Sequence, residues 1–284
     1  MTKYLDAGSS GEWGWHATEI ALRCPQLFAY HYRCHGADMA GDRAALIRGS
    51  LVHQGLAHYY ARLREAQMFG DPEAWATPED AIIECAARLA SREGDTNAPS
   101  FVQSATNIVL DYIDHYRAET LEVISVEEVF TSEIAGRKFT QRLDLVGRRG
   151  DGKIYIFDHK TTGFYSAKVP ERYTLSGQFL GMASFGQRLF GEEFGGVIIN
   201  ALACGAASAP TERGKTTFTR VPPNPAPNAL RLFTISVQHA RERIEELDRQ
   251  GVDPWRWPKV LSEQVCVTAY GKCEGYELCR WGEP

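Results

Sequence analysis

The sequence has no run of about 18 or more apolar residues, which leaves out a membrane-spanning helix of ordinary length. Its opening stretch, MTKYLDAGSSGEWGW, has no apolar region of the kind that directs secretion, so a cytoplasmic location is expected. There is no surplus of positive charge. Lys and Arg number 31 against 36 Asp and Glu, a net charge of -5, which argues against a broad nucleic-acid-coating surface while leaving room for a local basic groove. No internal repeat is present, and no close C-x2-C pairs of the kind that zinc ribbons favour. The cysteines number seven, and an odd count in a chain without a secretion signal makes a poor disulfide framework. What remains is ordinary globular material: 284 residues, 44% hydrophobic and 24% charged, enough to bury a sizeable core in one large domain or two smaller ones.

The first 120 residues or so read as mostly helical. RAALIRGSLVHQGLAHYYARLREAQ sets Leu51, Val52, Leu56, Tyr59 and Leu63 at helical spacing. PEDAIIECAARLASREG begins on Pro78 and acidic residues and stops at Gly94, and FVQSATNIVLDYIDHYRAE is a third helical pattern. From Leu121 to Thr162 the texture changes to β-branched and aromatic residues punctuated by glycine, which predicts three or four strands. ERYTLSGQFLGMASFGQRLFG returns to helical spacing, GGVIINALAC reads as a buried strand, and residues 205–229 as a loop-rich stretch with a short strand in TTFTRV. LRLFTISVQHARERIEELDRQ is a closing helix. The tail, CVTAYGKCEGYELC, is too interrupted by Gly and Cys for a regular element.

The segment IYIFDHKTTG carries the most chemistry. Four apolar residues typical of a core strand run straight into Asp158, His159 and Lys160, and burying charge is costly unless it is paired or holds a metal. The preceding FTQRLDLVGRRGDGK supplies the other arm of a hairpin, with Asp151-Gly152 as the turn signal. A turn centred near Gly150 and Asp151 sets Asp144 opposite or nearly opposite Asp158, and two like charges so placed repel unless a cation lies between them. Lys160, two residues beyond Asp158, projects from the same face. Two carboxylates and an ammonium then converge on one spot, a donor set suited to Mg²⁺ or Mn²⁺, with Lys160 orienting or deprotonating a water for attack on a phosphate. The alternative is a strand end that simply runs out into solvent.

Asp144 followed by FDHKTT, with Asp158 and Lys160, resembles the PD-(D/E)XK nuclease superfamily, and more narrowly its RecB-like branch, which includes the AddB nuclease domain, CRISPR-associated adaptation nucleases and phage exonucleases. RGSLVHQGL is similar to that branch's helix with an upstream histidine, which implies His53 as a further metal ligand. SGQFLGMASF stands where the branch has a glutamine-bearing helix, which implies a role for Gln178 in positioning Lys160 or the DNA backbone. The backbone carbonyl of His159 is placed to contact the same metal. LRCPQLFAYHY is similar to the branch's N-terminal Cys-Pro-aromatic segment. The chain departs from the pattern at Gln141, where glycine is usual, and at Met182, where tyrosine often follows the glutamine.

Cys266, Cys273 and Cys279 form C-x6-C-x5-C near the end of the chain. On spacing alone an iron–sulfur cluster, a zinc site and plain reduced thiols all stay open. The resemblance implies a 4Fe-4S cluster held by Cys24 together with Cys266, Cys273 and Cys279, although the first spacing is wider than the family's usual C-x2-C. Cys34, Cys85 and Cys204 read as small apolar residues.

The expected architecture is α/β, a restriction-endonuclease-like core with a mixed central sheet flanked by helices, a helical N-terminal part and a C-terminal iron–sulfur staple. Its expected divisions are a helical region at 1–120 with one cluster cysteine, a nuclease core at 121–204, an insertion and closing helix at 205–265, and a cysteine-rich tail at 266–284 packing back on the N-terminal region. The resemblance implies a metal-dependent deoxyribonuclease, an exonuclease acting on DNA that is single-stranded or has a free end, with a possible protein partner in recombination, repair or CRISPR adaptation and no membrane. Arg142, Arg148, Arg149 and Lys168 are the candidate phosphate contacts. Two alternatives stand beside this: a catalytically inactive DNA-binding or assembly subunit that keeps the fold, and a zinc-stabilised binding module.

Overall fold

The computed structural model describes residues 11–34, 43–70, 78–93, 98–162, 173–204, 212–222, 225, 227–268 and 271–282. Lys168 lies outside them. In chain order the helices are α1 (Trp15–Arg23), α2 (Pro25–Tyr32), α3 (Arg43–Phe69), α4 (Pro78–Glu93), α5 (Val102–Tyr116), α6 (Gly177–Phe190) and α7 (Pro227–Arg249), with short α8 (Glu263–Cys266) and α9 (Tyr276–Trp281). The main strands are β1 (Leu121–Ile134), β2 (Arg137–Arg149), β3 (Ile154–Thr162), β4 (Phe194–Ala203) and β5 (Thr217–Val221). Among the described residues, no helix is long and apolar enough to cross a membrane.

The chain divides into two compact units, one of Met1–Asp42, Phe130–Gln141 and Ala226–Pro284, the other of Arg43–Val129 and Arg142–Pro225. The second is built on the sheet, whose strand order is β1-β2-β3-β4-β5. β2 and β3 are antiparallel, β3 and β4 parallel, and β4 and β5 antiparallel. Parallel neighbours need a crossover, and α6 lies in the one between β3 and β4. The sheet is therefore mixed and flanked by helices, in agreement with the α/β core expected. The short strand foreseen in TTFTRV pairs with β4 and forms one edge of this sheet.

α3 packs against α4, α5 and β3, while α6 packs against β3 and β4. Close approach explains Gly55: a Cβ there would meet Ile82 at 2.8 Å and Val109 at 2.9 Å, so α3 can nestle between α4 and α5 only with glycine at that point. The buried stripe of α3 is Ile47, Leu51, Val52, Leu56 and Tyr60. Of the neighbouring tyrosines it is Tyr60, and not the expected Tyr59, that faces the core. Tyr59 is half-buried.

The other unit packs α1 and α2 with α7 and the turn at Pro254–Arg256. Its core includes Ile20, Leu27, Phe28, Ala240, Ile244 and Trp257, with the Phe28 and Trp257 rings parallel at 6.2 Å. Arg33 ties the N-terminal segment to α7, pairing with Glu12 at 2.6 Å and Asp248 at 3.1 Å. The tail differs from expectation. It holds two short helices, α8 and α9, and a two-stranded pair of Val267–Thr268 with Gly271–Lys272, because each piece is closed by a local backbone hydrogen bond such as Cys273 N–H to Cys266 O at 2.8 Å.

Candidate metal centre

The hairpin of β2 and β3 sets the geometry. Arg149 N–H donates to Lys153 O at 3.0 Å and Gly152 N–H to Arg149 O at 2.9 Å, closing a three-residue loop in which Gly152 takes the left-handed φ of 78°. From there the ladder runs through Val146 with Ile156 and Leu145 with Phe157. One further step of that register brings Asp144 opposite Asp158, as the turn signal predicted. Both are buried, Asp158 1% exposed and Asp144 7%.

Three of the four oxygens of this pair have a defined neighbour. Asp144 Oδ2 accepts from the His159 backbone N–H at 2.8 Å. Asp158 Oδ2 pairs with Lys160 Nζ at 2.8 Å, and Asp158 Oδ1 accepts from Gln178 Nε2 at 2.7 Å. Strand alternation sends Asp158 and Lys160 to the face covered by α6, where Lys160 Nζ also lies 5.7 Å from the centre of the Phe179 ring. Gln178 is thus brought to the site, but it holds Asp158 and not Lys160.

His53 reaches the same place from α3. Its Nδ1 is 3.4 Å from Asp144 Oδ2 and 3.9 Å from Glu127 Oε1, and its Nε2 is 2.8 Å from the His159 carbonyl oxygen. His53, Glu127 and Asp144 offer ligand atoms that all lie within 4.8 Å of one another. Glu127 was not among the residues singled out from the sequence, yet a signal for it exists. Leu121, Val123 and Ser125 are the buried positions in the first half of β1, and Glu127 falls next in that alternation, an acidic residue at an inward phase. Its φ of 50° is left-handed, and beyond it the inward phase shifts to the even positions, ending at buried Ile134. An irregularity of this kind re-aims a side chain, here toward His53.

The basic residues named as phosphate contacts are committed elsewhere. Arg142 pairs with Glu127 at 2.9 Å, Arg148 with Glu193 at 2.7 Å and Glu122 at 3.3 Å, and Arg149 with Glu119 at 3.5 Å. Each of the three is thus paired with a nearby carboxylate, and the pairs of Arg148 are solvent-exposed.

Burial and charge together explain the titration of the centre. Asp144, Asp158 and Glu127 face Lys160 and Arg142, which leaves one negative charge in excess when His53 is neutral. Burial raises Asp158 to about 6, against the pull of Lys160, with Asp144 adding to the rise. Burial likewise raises Asp144. For His53, burial works against the charged form, but Asp144 and Glu127 outweigh it and hold the imidazole at about 9. Lys160 is raised because its two aspartates overcome its burial. Burial leaves the two carboxylates reluctant to ionise, and the negative charge they and Glu127 bring makes the imidazole eager for a proton. A hard divalent cation removes that excess, and carboxylate oxygens, an imidazole nitrogen and the His159 carbonyl are suitable donors, so the residues fit Mg²⁺ or Mn²⁺.

In the helical unit, Cys24 sits between α1 and α2, Cys266 ends α8, Cys273 follows the small strand pair, and Cys279 lies in α9. All four line one cavity of about 200 Å³, with Leu27, Tyr30 and Val265 among its apolar walls. Tyr30 Oη is 3.7 Å from Cys279 Sγ. Cys34, Cys85 and Cys204 are buried and are not part of that lining. The cavity thus gathers the four cysteines that the sequence singled out.

Comparison with known proteins bears on the first of these sites. Nothing among the curated proteins matches the chain. Of the solved structures it is similar to, the crystal structure of SSO0001 shares 12% identity over 70% of this chain and 84% of the other, with a TM-score of 0.31, a likeness too low to bear on fold or function. The profile of the PD-(D/E)XK nuclease superfamily matches residues 16–180, more than half of the chain. That span contains the buried pair Asp144 and Asp158, the lysine beside them, and both His53 and Glu127, and the chain belongs to the PD-(D/E)XK nuclease superfamily.

Proposed function

We propose that the protein is a divalent-metal-dependent deoxyribonuclease of the RecB-like branch, an exonuclease that hydrolyses phosphodiester bonds in DNA that is single-stranded or has a free end. The observation that carries this reading is the convergence of His53, Glu127 and Asp144 beside the buried Asp158–Lys160 pair. His53, Asp144, Asp158 and the His159 carbonyl would hold Mg²⁺ or Mn²⁺, with Glu127 as an added carboxylate. When bound, the cation lowers the pKa of a water and offsets charge growing on the phosphate. Lys160, kept as an ammonium by Asp158, donates hydrogen bonds, so it orients the attacking water or a phosphate oxygen and does not take up a proton. Gln178 fixes the Asp158 carboxylate from its other oxygen. The His159 N–H does the same for Asp144.

The cavity lined by Cys24, Cys266, Cys273 and Cys279 supports a 4Fe-4S cluster as a staple within the helical unit. A cluster there would anchor α1 and α2 to the tail, and a structural role suffices. A protein partner in recombination, repair or CRISPR adaptation rests on the resemblance to the branch alone. The test is cleavage of labelled single- and double-stranded DNA, linear and circular, with Mn²⁺ or Mg²⁺. Asp158→Ala and Lys160→Ala should each abolish cutting while circular dichroism stays that of the unaltered protein. Undiminished rates from either variant would remove the active-site assignment, and an inert but DNA-binding wild type would make the chain a non-catalytic subunit.

A further inference from the structure

His159 sends its side chain to the face of β3 opposite Asp158 and Lys160. There the ring is 2% exposed, stacked on Tyr60 of α3 and edge-on to Tyr112 of α5. Register places it in a row across three strands: His159 lies beside Asn200 of β4, and Asn200 beside Arg220 of β5. The side chains join in the same order. Arg220 Nε donates to Asn200 Oδ1 at 2.8 Å, and Asn200 Nδ2 lies 2.9 Å from Tyr112 Oη and 3.2 Å from His159 Nδ1. Arg220 is itself anchored by Glu119 and lies 3.8 Å over the Tyr116 ring.

The hydrogen-bond directions in this row are forced. A guanidinium only donates, so the amide oxygen of Asn200 must face Arg220 and its NH₂ must face His159. His159 Nδ1 is then an acceptor, which makes the ring neutral with its proton on Nε2. A neutral ring held by an amide is a fixed anchor, and it belongs to the residue whose two backbone groups brace the metal centre. The His159 N–H holds Asp144 and its C=O faces His53.

We infer that Asn200 and Arg220 are positioning residues of the metal centre, acting from the reverse face of the sheet through the His159 side chain to hold the peptide that orients Asp144 and His53. The inference rests on the metal-centre reading proposed above. Outer partners of this kind typically set metal affinity by tenfold or more. Neither residue needs to touch substrate.

The test measures Mn²⁺ binding to the full-length protein by calorimetry, without DNA, alongside the thermal midpoint. Asn200→Leu, similar in size but unable to bridge Arg220 and His159, should weaken Mn²⁺ about tenfold or more. Arg220→Lys keeps a charge facing Glu119 but loses the planar fork, and it should weaken Mn²⁺ in the same direction; it carries the test if Asn200→Leu does not fold. Tyr60→Phe removes the hydroxyl that meets Tyr112 at 2.8 Å and leaves the amide bridge whole, so it should lower stability without moving Mn²⁺ affinity. The inference is overturned if the folded Asn200 and Arg220 variants bind Mn²⁺ within twofold of wild type, or if Tyr60→Phe weakens binding as much as they do. A wild type that binds Mn²⁺ no better than Asp144→Asn would instead overturn the metal-centre reading beneath it.

Discussion

Raising the pH from 6.5 to 8.5 should tighten Mn²⁺ binding by nearly two orders of magnitude, and His53 is the reason. Its imidazole is held at about 9 by Asp144 and Glu127, so at neutral pH the ring carries a proton that a metal must displace. With one proton released, affinity follows the deprotonated fraction, which grows about 80-fold across that interval. Asp158, raised to about 6, is already mostly ionised at pH 6.5 and adds only a small factor. Metal-free stability should move the opposite way. The folded pKa of His53 lies above its ordinary 6.5, so its ion pairs contribute fully below about pH 6.5, by about 3 kcal/mol, and that contribution is lost as pH rises through 9. Asp158 acts in the same sense at lower pH: its folded pKa is also raised, so its share of stability is present below about 4 and gone above about 6. Titration calorimetry with Mn²⁺ in two buffers of different ionisation enthalpy measures both affinity and protons released. About one proton should leave at pH 7.5, and His53→Gln should bind more weakly at high pH with an almost flat profile. Affinity constant within threefold from pH 6.5 to 8.5, or a His53→Gln variant that keeps the slope, would refute the assignment of His53 to the metal.

Glu127→Gln removes a carboxylate but keeps the shape, and it should weaken Mn²⁺ about tenfold while lowering the pKa of His53, which NMR titration of the imidazole reads directly. Anaerobically purified protein should be brown, absorb broadly near 400 nm and contain about four irons per chain. Serine at Cys24, Cys266, Cys273 or Cys279 should abolish the colour and serine at Cys34, Cys85 or Cys204 should not; an iron-free wild type prepared without oxygen would discard the cluster. Because Arg142, Arg148 and Arg149 are already paired with carboxylates, DNA affinity should fall only modestly with salt, at roughly 0.7 to 0.9 log units per log unit for each phosphate contact. A log–log slope near -10 would reveal a broad basic surface and refute this expectation.

Local pattern was enough for the hairpin at the heart of the molecule. A D-G turn and two alternating strands determine their own register, so the opposition of Asp144 and Asp158, with Lys160 two residues on, was legible before any tertiary contact was known. The long helices and the two buried strands could be read for the same reason: helical spacing and continuous apolar runs are properties of neighbours in sequence. His53 and the cysteines were reachable only through resemblance, because nothing in their spacing brings α3 to β3 or Cys24 to the tail; packing did that, and it gathered four of the seven cysteines around one cavity. Glu127 kept the inward alternation of β1, but its approach to His53 depends on a left-handed backbone and on the packing of α3, neither of which local pattern shows. The quenching of Arg142, Arg148 and Arg149 was equally invisible, since composition counts charges without saying which carboxylate each one meets. The row of His159, Asn200 and Arg220 joins three strands separated by long stretches of chain, and only the sheet, by laying β3, β4 and β5 side by side, gave those residues a common purpose.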